Sequence, residues 1–152
     1  MSRVRDVLQV KGSEVLTVPP ATPVMRVAQR MRTDHIGAYV VSSRVGHLDG
    51  LVTERDIVFA IARHGAGALE LPVSAVMSKA PSTCAPDDTV RAVMTAMTRE
   101  RVRHLPVVEH GVLRGLISIG DVVKASIDDA DLEAGVIRDA YLANRSRLAE
   151  TG

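Results

Sequence analysis

The stretch Gly50-Leu51-Val52-Thr53-Glu54-Arg55-Asp56 recurs as Gly115-Leu116-Ile117-Ser118-Ile119-Gly120-Asp121. Each copy has a glycine, two aliphatic residues, a hydroxyl residue, two variable positions and an aspartate. A chain with an internal repeat folds as two like units, so the repeat decides the architecture before any single residue does. The likeness runs upstream. Thr17-Val18-Pro19-Pro20 matches Thr83-Cys84-Ala85-Pro86, and Val24, Val27, Ala28 and Met31 match Val90, Val93, Met94 and Met97 at the same spacing. Tyr39-Val40-Val41 matches Leu105-Pro106-Val107, and one residue is lost before the glycine motif. Val4-Arg5-Asp6-Val7-Leu8 matches Val73-Ser74-Ala75-Val76-Met77 at a slightly longer spacing. Two copies account for most of residues 4–126.

Each copy reads as the same order of elements. Residues 4–18 predict a short helical turn, a loop at Lys11-Gly12-Ser13 and an extended piece ending near Val18. Thr22 suits an N-cap and Pro23 the first helical position. Val24, Val27, Ala28 and Met31 then form one apolar stripe on a helix. Ala38 to Val41 reads as a strand, residues 42–50 as a polar turn, and Leu51-Val52 as a second strand. Thr53 opens a helix that ends at Gly65 and Gly67. Residues 66–72 link the copies. The second copy replays this order, with Asp88 as helix cap, a strand over Leu105 to Val108, a tight turn at His110-Gly111, a strand at Leu116-Ile117 and a helix from Ile119 to about Ser126. From Asp128 on there is no counterpart. Leu132, Val136, Ala140 and Tyr141 predict a separate amphipathic helix, with Asp129 or Asp131 near its start and a frayed end from Asn144 to Gly152.

The expected fold is α/β (α+β): two β-α-β-β-α repeats packed sheet to sheet with internal pseudo-two-fold symmetry, plus a C-terminal helix. The expected boundaries are 1–66 for the first repeat, 67–127 for the second and 128–152 for a helical tail. With 152 residues and 46% apolar composition the chain can build one sizeable core, which must be aliphatic because aromatics are only 2%. A net charge of +1 argues against nucleic acid, which wants a concentrated positive field. The single cysteine, Cys84, can form no intrachain disulfide and no multi-cysteine metal site. Nothing in the chain reads as a membrane span or a signal peptide, so the expected location is cytoplasmic.

Thr53-x-x-Asp56 and Ser118-x-x-Asp121 each fit a capping box, in which hydroxyl and acid satisfy backbone groups at a helix start. On that reading Gly50 and Gly115 need only serve turns. A second reading competes. Free N–H groups at a helix start, together with a hydroxyl, suit a phosphate, and a carboxylate beside them suits a pair of sugar hydroxyls. The same pattern is then a nucleotide seat made twice.

The chain resembles a tandem pair of CBS domains, the cystathionine-β-synthase-type repeat that pairs as a Bateman module. The resemblance rests on the two glycine-to-aspartate motifs, on Val102-Arg103-His104-Leu105-Pro106-Val107 and on the order of elements. It implies a non-catalytic regulatory module that binds an adenosine-type ligand (AMP, ADP, ATP or S-adenosylmethionine) in clefts between the repeats. It implies that Asp56 and Asp121 hold ribose hydroxyls and that Thr53 and Ser118 contact ribose or phosphate. Thr17 and Val18, with Thr83 and Cys84, would edge the base pockets. Ile36, Gly37 and Ala38, with Val102, Arg103 and His104, would line the clefts. The copies differ: Gly37-Ala38 stands where the second copy has Arg103-His104, and Gly120 stands where the first has Arg55, which can add a phosphate contact. One strong cleft and one weaker one are expected. The resemblance also implies a homodimer through the motif helices and a regulated partner protein, with no required cofactor and no membrane contact.

Other residues carry less. Cys84 reads as a small buried apolar residue, the histidines show no metal spacing, and Met25, Met31, Met94 and Met97 read as core or near it. Arg99 to Arg103 reads as a solvated loop. The competing functions are a nucleotide hydrolase or transferase and a ligand-free interaction scaffold. The chain offers no P-loop, metal cluster or nucleophile elbow for the former.

Overall fold

The structure, a computed structural model, describes residues 1–150. Helix α1 (Val4–Lys11) precedes strand β1 (Thr17–Val18), helix α2 (Val24–Asp34), strands β2 (Ala38–Val41) and β3 (Gly50–Thr53), and helix α3 (Glu54–His64). Two 3-10 turns, Gly65–Glu70 and Val73–Ala75, carry the chain into the second copy. There follow α4 (Val90–Glu100), β4 (His104–Glu109), β5 (Val112–Ser118) and α5 (Ile119–Glu150). Among the described residues no helix is long and apolar enough to cross a membrane.

The expected mixed architecture forms, and the alternation of the strands explains why. β1 runs parallel to β2, and β2 antiparallel to β3 with Ala38 opposite Thr53. β4 pairs antiparallel with β5, with His104 opposite Ser118. The second copy's equivalent of β1 shrinks to one parallel bridge, Cys84 to Val107. Successive strand residues point to opposite faces. Tyr39, Val41 and Val52 therefore pack on Val24, Val27 and Met31 of α2 and Ile57 of α3. Ala38, Val40 and Leu51 point the other way and join Leu113 and Leu116 of the second sheet. That shared cluster is the sheet-to-sheet core. Each fully buried aliphatic side chain adds about 1.5–3 kcal/mol of burial free energy.

The leading helical segments are exchanged between the copies. Val4 and Leu8 of α1 lie in the cluster of Leu105, Val107 and Ile117. Val73 lies in the cluster of Val18, Tyr39 and Val52. The exchange explains the two motif glycines and corrects their reading as turn residues. Both stand in strands, and neither has a positive φ. A β-carbon on Gly50 would stand 2.5 Å from Met77 Sδ and 2.7 Å from the Ser78 carbonyl oxygen; one on Gly115 would stand 2.7 Å from Leu8 Cδ2. Each glycine is the place where the crossing segment touches the sheet.

Several boundaries move. Pro23, not Thr22, is the N-cap of α2. Thr89, not Asp88, caps α4: its Oγ1 accepts the Ala92 N–H at 3.1 Å, while the Asp88 carboxylate accepts the Ala85 N–H at 2.8 Å. Arg99 and Glu100 close α4 and Arg101 is its C-cap in the left-handed region, so this stretch is only partly loop. The expected helix end near Ser126 and the fraying from Asn144 are both corrected through residue 150, because α5 is one helix over Ile119–Glu150. It contains no proline, and its interior Gly135 costs about 1 kcal/mol, which does not stop it. Residues 151–152, included in the expected frayed end, lie outside the described residues.

Candidate functional site

Both motifs build their helix starts in the same way. Thr53 is extended (φ −118°) and caps α3. Its N–H and its hydroxyl donate to Asp56 Oδ2 at 2.9 and 3.1 Å, and the Asp56 N–H donates to Thr53 Oγ1 at 3.3 Å. In the second copy the Ser118 N–H donates to Asp121 Oδ2 at 2.9 Å and the Asp121 N–H to Ser118 Oγ at 3.2 Å. The capping boxes are present, so both aspartates have a structural task. That task falls on Oδ2 of each carboxylate. The first N–H of each helix is tied to the neighbouring strand: Glu54 N–H donates to the Gly37 carbonyl at 3.1 Å and Ile119 N–H to the Arg103 carbonyl at 2.8 Å.

The copies differ in what surrounds the motif. A cleft of about 550 Å³ opens over the first. Gly37, Thr53, Arg55 and Asp56 line it from one repeat, and Val102, Arg103 and His104 from the other. The segment from Ser78 to Ser82 forms a further wall, held by the mutual backbone bonds of Leu51 and Ser78 at 3.0 and 2.9 Å. His104 reaches across the junction: its Cε1 lies 3.6 Å from where a Gly37 β-carbon would be, as does the Glu54 carboxylate. Over the second motif the chain supplies its own cation. Lys11 Nζ donates to Asp121 Oδ2 at 2.6 Å and to the Leu116 carbonyl at 2.8 Å.

Burial, and then the Lys11 charge, lower the pKa of His104, so its imidazole is neutral at pH 7. Burial pushes the Asp121 carboxyl up, but the Lys11 ammonium and the Ser118 N–H outweigh it and hold the group below the usual carboxylate range. Cys84 is buried as expected, and burial with the nearby Asp88 charge pushes its thiol up to about 12, which makes it a poor nucleophile. Among the described residues no group of three or more His, Cys, Asp and Glu side chains is placed to hold a metal ion.

Of the expected site residues, Gly37, Thr53, Arg55, Asp56, Val102, Arg103 and His104 therefore meet around one cleft. Ser118 and Asp121 stand at the other motif. Thr17, Val18, Ile36, Ala38, Thr83 and Cys84 do not line the cleft; Val18 and Ala38 are core residues, and the Thr17 carbonyl accepts from Arg30 Nη1 at 3.2 Å. Sequence reasoning missed Glu54, the Ser78–Ser82 wall and Lys11. A signal for the wall existed: it follows the repeated helical turn at Val73 to Met77. Nothing in the sequence brings Lys11 near Asp121, because that contact follows from the exchanged α1.

Comparison with known proteins agrees with this fold. The family model for the CBS domain matches residues 4–63 and again 73–128. The chain belongs to the CBS domain family, as two tandem copies. The CBS domain-containing protein CBSCBSPB5 of Arabidopsis thaliana is 31% identical over 139 residues, which is 91% of this chain but only 25% of that protein. Among solved structures, the CBS-domain containing protein ATU1752 from Agrobacterium tumefaciens is 43% identical with a TM-score of 0.79, covering 82% of this chain and 99% of that one. The CBS domain protein PAE2072 from Pyrobaculum aerophilum, solved in complex with AMP, is 26% identical with a TM-score of 0.69, covering 79% of this chain and 89% of that one.

Proposed function

We propose that the chain is a regulatory module that binds an adenosine nucleotide in the Asp56 cleft. The observation that carries this reading is the convergence on one cavity of a helix start, the Asp56 carboxylate and three arginines, Arg55 from one repeat and Arg101 and Arg103 from the other, with Glu54 and Glu100 also in its lining. Asp56 keeps Oδ2 for its cap and offers Oδ1 to the ribose hydroxyls. The Thr53 hydroxyl and the start of α3 face the phosphate side. Arg55 and Arg103 give charge-assisted donors to phosphate. Leu51, Pro81 and Val102 offer apolar surface to the base. The AMP complex of the Pyrobaculum relative supports the ligand class. AMP, ADP, ATP and S-adenosylmethionine are the candidates. The Lys11 ammonium already pairs with Asp121 at 2.6 Å, on the same Oδ2 that serves the cap, so a ligand there must compete with a cation of the chain itself and the second motif is the weaker seat.

A ligand held by both repeats favours whichever arrangement of them it binds more tightly. The output passes to a second copy and then to a regulated protein. Val58, Phe59 and Ile61 on α3 and Val123 on α5 are exposed apolar side chains on the motif helices, which suits a homodimer there. A thermal-shift series against the four ligands tests the reading, with Arg103→Ala beside the wild type. A ligand at a hundredfold excess over its Kd should stabilise the wild type by about 2.7 kcal/mol. Arg103→Ala should lose most of that shift for the phosphate-bearing ligands. No shift with any of the four rejects the proposal.

A further inference from the structure

From Asp131 to Ala149 every residue of α5 except Gly135 is exposed. A helix in a protein draws most of its stability from packing an apolar face, which this stretch does not do against the body, and Gly135 weakens it further. Its apolar side chains have an order that the folded body does not use. Val123, Ile127, Ala130 and Ala134 are separated by alternating steps of four and three, and Ile137, Tyr141 and Asn144 continue the alternation. That is a period of 3.5 residues, the seam of a left-handed coiled coil. The seam is open to solvent: Ile127 is 56% exposed, Ile137 69% and Tyr141 62%. The body instead takes the face bearing Val122 and Ala125. Leu132, Val136 and Leu142 are also exposed and lie off the seam.

We propose that residues 123–144 pair with the same residues of a second copy as a parallel two-stranded coiled coil. Charge selects the direction. Glu133 and Arg138 flank the seam on opposite sides. In the parallel register Glu133 meets Arg138 of the second copy, and the two-fold axis makes that contact twice. In the antiparallel register Asp131 meets Arg138 of the second copy, but Lys124 meets Arg145, so attraction and repulsion cancel. Asn144 faces itself in the parallel register, and a paired polar side chain in the seam fixes the alignment. This pairing rests on the homodimer proposed above and extends it well beyond the contact between the motif helices.

The test uses the full chain with Ile137→Cys on the seam and Asp139→Cys on the opposite side of α5. Cys84 is buried, so each variant has one accessible thiol. Under mild oxidation Ile137→Cys should form a disulfide-linked dimer at least about tenfold faster than Asp139→Cys. Ile137→Asp should raise the dimer Kd about a hundredfold or more in sedimentation, since each copy would bury an unpaired charge. If Ile137→Asp leaves the dimer Kd unchanged and residue 137 cross-links no faster than residue 139, the coiled coil is wrong while the dimer stands. A wild-type chain that is monomeric at micromolar concentration overturns both.

Discussion

Gly50 carries a heavier demand than its place in a repeated motif suggests. Met77 and the Ser78 backbone lie where its side chain would begin. Gly50→Ala must displace backbone and should cost about 1–3 kcal/mol in urea unfolding. Gly115→Ala meets only the flexible end of Leu8 and should cost less, and Gly67→Ala, with no atom within 4 Å, should be near neutral. Equal effects at positions 50 and 67 would contradict the close approach. His104 makes a second test at this scale. Its pKa is lowered in the folded protein, so below about pH 6.5 the unfolded chain takes up a proton that the folded chain resists. Stability held above that pH is therefore lost as the pH falls through the lowered value. His104→Gln should flatten the fall in the urea midpoint over this range, and an unchanged slope would show that His104 is not responsible. The sequence pointed to His104 through the differing dipeptides Gly37-Ala38 and Arg103-His104. It gave no hint that Lys11 would stand beside the imidazole and on Asp121, a contact made by residues far apart in the chain.

Among the elements, α1 shows where sequence reasoning ends. Its likeness to Val73–Met77 was visible, and so was its apolar face. Which sheet it covers was not, because both sheets present similar aliphatic faces and only the tertiary crossing distinguishes them. Leu8 is buried in the second repeat's core. Leu8→Ala should cost about 2–4 kcal/mol. Hydrogen exchange should then quicken in β4 and β5 before it does in β1 to β3. The opposite order would place α1 with the first repeat after all. The helix starts were more legible, since Thr53-x-x-Asp56 and Ser118-x-x-Asp121 carry their own local hydrogen bonds. Thr53→Ala should cost about 1 kcal/mol even without ligand. The length of α5 was not legible: the repeat ends near Ser126, and Asp129 or Asp131 reads as a new start although nothing breaks the helix there.

At the scale of the molecule, two like units share one sheet-to-sheet core, and the repeat alone made that architecture readable. Ala38, Val40 and Leu51 against Leu113 and Leu116 are the physical expression of the symmetry. The difference between the two motifs was only half readable. Unequal clefts were expected from Gly37-Ala38 against Arg103-His104 and from Arg55 and Gly120, and the choice of the Asp56 cleft proposed above rests on the cavity over Asp56 and the lysine on Asp121, which only the fold brings out. The proposed function stands or falls with the Asp56 cleft as the nucleotide site. Titration calorimetry of AMP into the wild type, Asp56→Ala, Arg103→Ala and Asp121→Ala tests it most directly. One strong site per chain is expected, weakened at least about tenfold by Asp56→Ala and by Arg103→Ala, a loss of about 1.4 kcal/mol or more each. Asp121→Ala should leave that site nearly unchanged. Binding that survives Asp56→Ala and Arg103→Ala but is lost in Asp121→Ala would put the nucleotide at the second motif instead.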